Sequence, residues 1–260
     1  MSMTKTAPPS IVQRAIAVAD VFYKIVEEKF GEQSQHYLHF PRDIAKLVSY
    51  SLDLPIIARP NLTLHSAGAY LCIRRAEQEK ERQLQGLLHV GPPATMILVE
   101  EHLSERERNY IIAHELGHYI HDIFMVQQLW LSSLQKQEKA ILQAFSWQDF
   151  DPWLELQALL KGLPDRPRAI MKRGAGMHHT TRPREMFANA IALELLAPWQ
   201  EATLLFQKYP RCEVARRLRA DYGVPALAAE DYSSDLRHAL WPQQDLFGRL
   251  FAPLLDNNAS

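Results

Sequence analysis

His114-Glu115-Leu116-Gly117-His118 sets two imidazoles four residues apart, with a carboxylate next to the first. On a helix, residues four apart lie on one face, so His114 and His118 can offer ring nitrogens to a single metal ion. Zinc suits such donors. Glu115 is rotated off that face, within reach of a water at the metal. There a carboxylate can serve as general base for hydrolysis. The bland alternative is an amphipathic helix with two incidental histidines, so the flanks have to decide.

They favour a helix built for this purpose. Ser104-Glu105-Arg106-Glu107 reads as a capping box, with Ser104 as N-cap and Glu107 reaching back. Tyr110, Ile111, Ile120 and Phe124 are apolar at roughly helical spacing, and no proline interrupts Ser104 to Phe124.

A catalytic zinc usually has three protein ligands and one open position. The His-x-x-x-His-x-x-Gly-x-x-His extension fails, because position 124 is Phe. His121 lies one turn beyond His118, and one straight helix cannot easily wrap a metal with three successive ligands. We read it as a supporting or surface residue. The better source is the apolar helical stretch Pro183 to Leu196, which contains Glu185 and Glu194. A buried carboxylate needs a partner, and a metal ion is a strong one. Glu185 is the preferred third ligand and Glu194 the alternative. A plain surface acid in the first helical turn would also explain Glu185. Asn189, four residues after Glu185, could accept a hydrogen bond from the outer ring N–H of a ligand histidine, His114 by preference, and so fix its tautomer.

The elements that must position these groups are short. Helices are expected at Ile11 to Phe30, ending at Gly31, and at Pro41 to Leu52. Strands are expected at Leu54–Ala58, Ala69–Ile73, Leu87–Val90 and Thr95–Val99, with a turn at Gly91-Pro92-Pro93. Arg74 to Arg82 reads as a solvated hairpin tip or short helix. Gln127 to Gly176 is mostly helical in pattern and carries no catalytic signature. We expect it to cover the cleft or dock a partner. An edge strand near a zinc peptidase site commonly holds the substrate backbone, but the sequence does not say which strand is the edge.

The chain has 260 residues, a formal net charge of -1, 47% hydrophobic residues and two cysteines. That permits one large domain with a real core, and it predicts no general affinity for nucleic acid or anionic membrane. Cys72 and Cys212 make neither a disulfide framework nor a cysteine-rich zinc site. No signal-peptide core or membrane-spanning run is visible, so a cytoplasmic protein is expected.

Two stretches then carry a family resemblance. Arg108-Asn109-Tyr110-Ile111-Ile112-Ala113-His114-Glu115-Leu116-Gly117-His118-Tyr119 and Glu185-Met186-Phe187-Ala188-Asn189-Ala190-Ile191-Ala192-Leu193-Glu194-Leu195-Leu196-Ala197-Pro198 resemble the two motifs of ImmA/IrrE zinc metallopeptidases. The order of elements does too: helix, small sheet, metal helix, ligand helix, helical tail. The resemblance implies zinc at His114, His118 and Glu185, with Glu115 as base. It implies an α+β, mostly helical, zincin-like fold with a small mixed or antiparallel sheet. It also implies a helix-turn-helix repressor as substrate, cut to induce a stress, mobile-element or defence operon, with an activating ligand such as single-stranded DNA. The chain departs from the family in the long stretch between His118 and Glu185 and in Ile191, where an aromatic is usual.

We therefore expect a peptidase domain over residues 1–200, with a helical insertion at about 127–176, and a C-terminal helical region over 201–260. In that tail, Glu213 to Arg237 has a helix-turn-helix look, with Arg211, Arg216, Arg217 and Arg219 as candidate DNA contacts. A structural helical pair is the preferred reading. Pro210-Arg211-Cys212 faintly resembles an inhibitory cysteine segment, although free thiols are the simpler reading of Cys212 and Cys72. His178, His179, Tyr110 and Tyr119 are candidate oxyanion donors by type alone. The rival function is a non-proteolytic zinc-containing regulator acting through its tail on DNA or protein. Glu115 argues for the enzyme, since a structural zinc site has no use for a base.

Overall fold

In the computed structural model, residues 8–73, 81–91, 94–126, 170–172 and 182–240 are described. Helix α1 (Ser10–Phe30) ends at Gly31, whose φ of 55° lies in the region that favours glycine. A short turn of helix, α2 (Ser34–Tyr37), leads to α3 (Ile44–Ser51). Strand β1 (Ile56–Arg59), helix α4 (Leu64–Tyr70), strands β2 (Leu84–His89) and β3 (Met96–Glu100), and helix α5 (Glu105–Tyr119) follow. The chain continues from α5 into a π-helical turn, Ile120–Phe124. Beyond come β4 (Ile170–Lys172) and helices α6 (Arg182–Leu196), α7 (Trp199–Lys208), α8 (Arg211–Tyr222) and α9 (Ala226–Leu240).

The four strands form one mixed sheet in the order β1-β3-β2-β4. β1 runs parallel to β3, while β2 is antiparallel to both β3 and β4. Among the described residues, the sheet order makes β1 and β4 the edges. The architecture is the expected α+β: helices with a small mixed sheet.

Two sequence expectations are corrected. The run Ala69–Ile73 is not a strand. Thr63 and Ser66 form a reciprocal capping box that starts α4, and Cys72, at φ 56°, turns the chain out of it. A short apolar run fits either element until a cap decides it. Within the region expected to be helical, Ile170–Lys172 is a strand, because β2 offers backbone partners that the local pattern cannot reveal. The rest of that region up to Gly176 lies outside the described residues, as do Arg74 to residue 80, Pro92 and Pro93.

The core is continuous from the site helices into the tail. Phe22 of α1, Ile112 and Leu116 of α5, Ile191 and Leu195 of α6, and Val214, Leu218, Tyr222, Ala229, Tyr232 and Leu236 of α8 and α9 belong to one buried cluster. Tyr232 donates from its hydroxyl to the Ala197 carbonyl at 3.1 Å, fastening α9 to the end of α6. Between α8 and α9, Gly223 adopts φ 72°, the left-handed cap that reverses the chain.

The tail is therefore a structural pair in its packing. Arg216 and Arg217 are held by Glu213 on the same helix, and Arg217 also lies 4.2 Å over the Tyr209 ring. The second helix, which would enter a groove in a DNA-binding arrangement, exposes Glu230, Asp231 and Asp235 against Arg237. That charge is wrong for a phosphate backbone.

Candidate metal centre

Helix α5 begins as expected. The Ser104 hydroxyl accepts from the Glu107 N–H at 3.3 Å, and the Ser104 N–H donates to Glu107 Oε2 at 3.1 Å. The helix runs into the core, so Ile111 through His118 are all buried. α6 packs along it, and the two meet closely at Gly117, where Ile191 of α6 presses against the glycine.

The packing brings Glu185 up to the two imidazoles. His114 Nε2 is 3.3 Å from Glu185 Oε2, and His118 Nε2 is 3.7 Å from Glu185 Oε1. The donor atoms of His114, His118 and Glu185 all lie within 4.8 Å of one another, and all three residues are buried. Among the described residues, neither Nε2 has a hydrogen-bond partner. Orphaned buried nitrogens are costly unless something else fills them. Two such nitrogens aimed at one carboxylate are the donor set of a tetrahedral zinc site with an open position. The residues fit the ion.

The outer ring nitrogens explain why the Nε2 atoms are free to ligate. His114 Nδ1 donates to Asn189 Oδ1 at 2.8 Å, and that oxygen also accepts from the Tyr110 hydroxyl at 3.2 Å. With Nδ1 carrying the proton, the lone pair sits on Nε2. His118 Nδ1 donates to Asp122 Oδ2 at 3.3 Å. Asp122 is also gripped by Arg184 of α6 and accepts from His121 Nδ1 at 2.7 Å. A carboxylate behind a ligand imidazole fixes its tautomer and raises its basicity.

Asp122 was missed in the sequence. Its signal was its position four residues after His118, the same spacing that singled out the histidines themselves. The π-helical turn also re-aims the side chains of this segment, which no periodicity argument anticipates. His121, half exposed, is a partner of Asp122 and stands edge-on to the Phe187 ring at 4.9 Å; it is not a member of the ligand group.

Charge follows partners. Burial pushes the Glu185 carboxyl up, but the imidazoles of His114 and His118 outweigh it and bring its pKa down to about 2. Burial would lower His118, yet Asp122 and Glu185 carry it up to about 9. Burial raises the pKa of Glu115, and the two imidazoles offset this only in part.

Glu115 is wholly buried. Its Oε2 accepts from the Leu88 N–H of β2 at 3.0 Å, while its Oε1 has no hydrogen-bond partner among the described residues. One oxygen is anchored and the other is free to take a proton.

The alternative ligand Glu194 lies at the far end of α6 and is not part of the group. It is buried, and its Oε2 accepts from the Trp199 N–H at 2.9 Å, closing the first turn of α7. Cys72 and Cys212 are free, exposed and outside the ligand group. Tyr110 is committed to Asn189 rather than open to substrate. His178 and His179 lie outside the described residues.

A family model for Peptidase M78, described as an IrrE N-terminal-like domain, matches residues 65–124. That span runs from α4 through the π-helical turn and contains His114, Glu115 and His118, while Glu185 and Asn189 lie beyond it. No curated protein and no solved structure matches the chain. Among the described residues, no helix is long and apolar enough to cross a membrane. The resemblance read from the first of the two motifs is thus matched by a family model: residues 65–124 are similar to the IrrE N-terminal-like domain of Peptidase M78.

Proposed function

We propose that this protein is a cytoplasmic zinc-dependent endopeptidase that makes a site-specific cut in a helix-turn-helix transcriptional repressor. The observation that carries the enzymatic part is the state of Glu115. A buried carboxylate with one anchored and one unpartnered oxygen, beside three convergent ligands, has the form of a general base. His114, His118 and Glu185 would hold the ion, with Asn189 and Asp122 orienting the rings. Zinc bound there would supply Lewis acidity and make water a nucleophile near neutral pH. Glu115 Oε1 takes the proton of the attacking water and returns it to the leaving amine. Meanwhile the Leu88 N–H keeps Oε2 in place. The choice of a repressor as substrate is supported by the IrrE-type match.

The test is to incubate the repressor encoded nearest to this gene with wild-type protein and zinc, and with Glu115→Gln. A parallel pair of reactions contains single-stranded DNA, the proposed activating ligand. Intact mass reads the products. A single cut by wild type and none by the variant is the expected result. Equal cutting by both would remove Glu115 from the mechanism. No cut in any reaction, with zinc bound stoichiometrically, would count against the repressor as substrate.

A further inference from the structure

Two glycines mark close approaches of a neighbouring element to α5, tight at Gly117 and too close for any side chain at Gly86. On one face, a Cβ at Gly117 would lie 3.2 Å from both Cβ and Cγ2 of Ile191. On another face, a Cβ at Gly86 of β2 would lie 2.3 Å from Ile111 Cγ2, 3.2 Å from Glu115 Oε1 and 3.4 Å from Glu115 Cγ. Gly86 has no positive φ and is paired in register with Val99 on β3 and Met171 on β4. Its requirement is therefore space and not an unusual backbone.

The neighbour it would meet cannot easily give way. Ile111 is buried, β-branched and stiff at χ1, and it lies four residues before Glu115 on α5. A side chain at position 86 would push α5 and the Glu115 carboxylate off the strand. Leu88, two residues along from Gly86, supplies the N–H that holds Glu115 Oε2 at 3.0 Å. A bond of that length weakens with a few tenths of an ångström of outward movement.

We propose that Gly86 is a positioning residue for Glu115: its missing side chain lets β2 dock against α5 so that the Leu88 N–H fixes the carboxylate. The ligand group of His114, His118 and Glu185 is set separately, by the α5–α6 contact at Gly117. The functional meaning of this arrangement rests on the proposed role of Glu115 as base.

The experiment combines amide NMR of the metal-free protein, zinc affinity by chelator competition, and repressor cleavage. In wild type, the Leu88 amide proton is expected downfield because it donates to a carboxylate, and Glu115→Ala should move it upfield. Gly86→Ala is expected to move it the same way while leaving zinc affinity within about threefold. Cleavage should fall in kcat by roughly a hundredfold, with KM little changed, as for a misplaced base. Ile111→Ala removes the nearest clash. In the Gly86→Ala/Ile111→Ala variant the Leu88 resonance should return toward that of Ile111→Ala alone, which also serves if Gly86→Ala does not fold. Gly117→Ala should do the reverse, weakening zinc while sparing the Leu88 resonance. An unmoved Leu88 amide in Gly86→Ala, or a zinc affinity that drops more than tenfold with it, overturns the proposal. If the NMR and zinc results hold while wild type cuts no repressor, the positioning role stands and the proposed substrate falls.

Discussion

Glu185 and Glu194 sit near opposite ends of the same helix, α6, and both are buried, at 9% and 7% exposure. Their acidities nevertheless diverge. Glu185 faces two imidazoles and is drawn down to about 2; Glu194 is pushed up to about 7 by burial, against one backbone N–H and the charge of Arg42. The lesson is that burial does not decide what a carboxylate does here; its partners do. Glu185 stays anionic and can serve a cation. Glu194 is a structural acid that closes a helix end. In the same corner, Arg42 donates to the Leu195 carbonyl at 2.8 Å, and Tyr23 to the same carbonyl at 3.1 Å.

The comparison breaks most severely at Glu185. Glu185→Gln removes one of three ligands and should weaken zinc by roughly a thousandfold, about a third of the binding energy of such sites. Chelator competition measures it. A variant with wild-type affinity would mean that Glu194 or another group holds the ion.

The next effect is a pH slope in stability. Glu194 has a folded-state pKa of about 7, above its ordinary value of 4.5. The folded state therefore holds a proton that the unfolded state has released. Stability should fall as pH rises from 4.5 to 7, by up to about 3 kcal/mol, and then level off. Glu185 acts in the opposite sense: its contribution is present above 4.5 and is lost as pH falls toward about 2. Urea unfolding across this range should show the Glu194 slope in wild type and not in Glu194→Gln. An unchanged slope would assign the effect to another group.

Asp122→Asn tests the partner rule one bond further out. The variant keeps the size of the side chain but loses the charge behind His118, so zinc affinity should drop by roughly 10- to 100-fold. If affinity is unchanged, the hydrogen bond at 3.3 Å orients nothing.

The smallest effect is expected at Glu213, a partly exposed acid with two arginine partners on its own helix. Such surface ion pairs contribute little. Arg217→Ala should leave the melting temperature unchanged, and a clear drop would show that the ion pairs of α8 help hold the tail in place.

Much of the site could be read from the chain because its rules are local. His114, Glu115 and His118 are joined by helix geometry, and Ser104 with Glu107 starts that helix through a box four residues long. Asn189 follows Glu185 by one turn and does meet His114. The misreadings arose where several outcomes are locally equivalent. Ala69–Ile73 suits a strand or a helix by composition, and only the Thr63–Ser66 cap resolves it. Ile170–Lys172 became a strand because β2 was there to pair with it.

By itself, then, the sequence determined the donor chemistry, the helices that carry it and a small sheet beside them, because spacing and capping act within a turn or two of helix. Only the tertiary structure decided which glutamate reaches the histidines, that Asp122 backs His118, that Leu88 holds the base, and that Gly86 leaves room for it. Asp122 is only four residues from His118 and is aimed by the π-helical turn; the other three outcomes depend on distances between residues far apart in the chain. Such distances are set by how α5 packs between α6 and β2, not by any local preference.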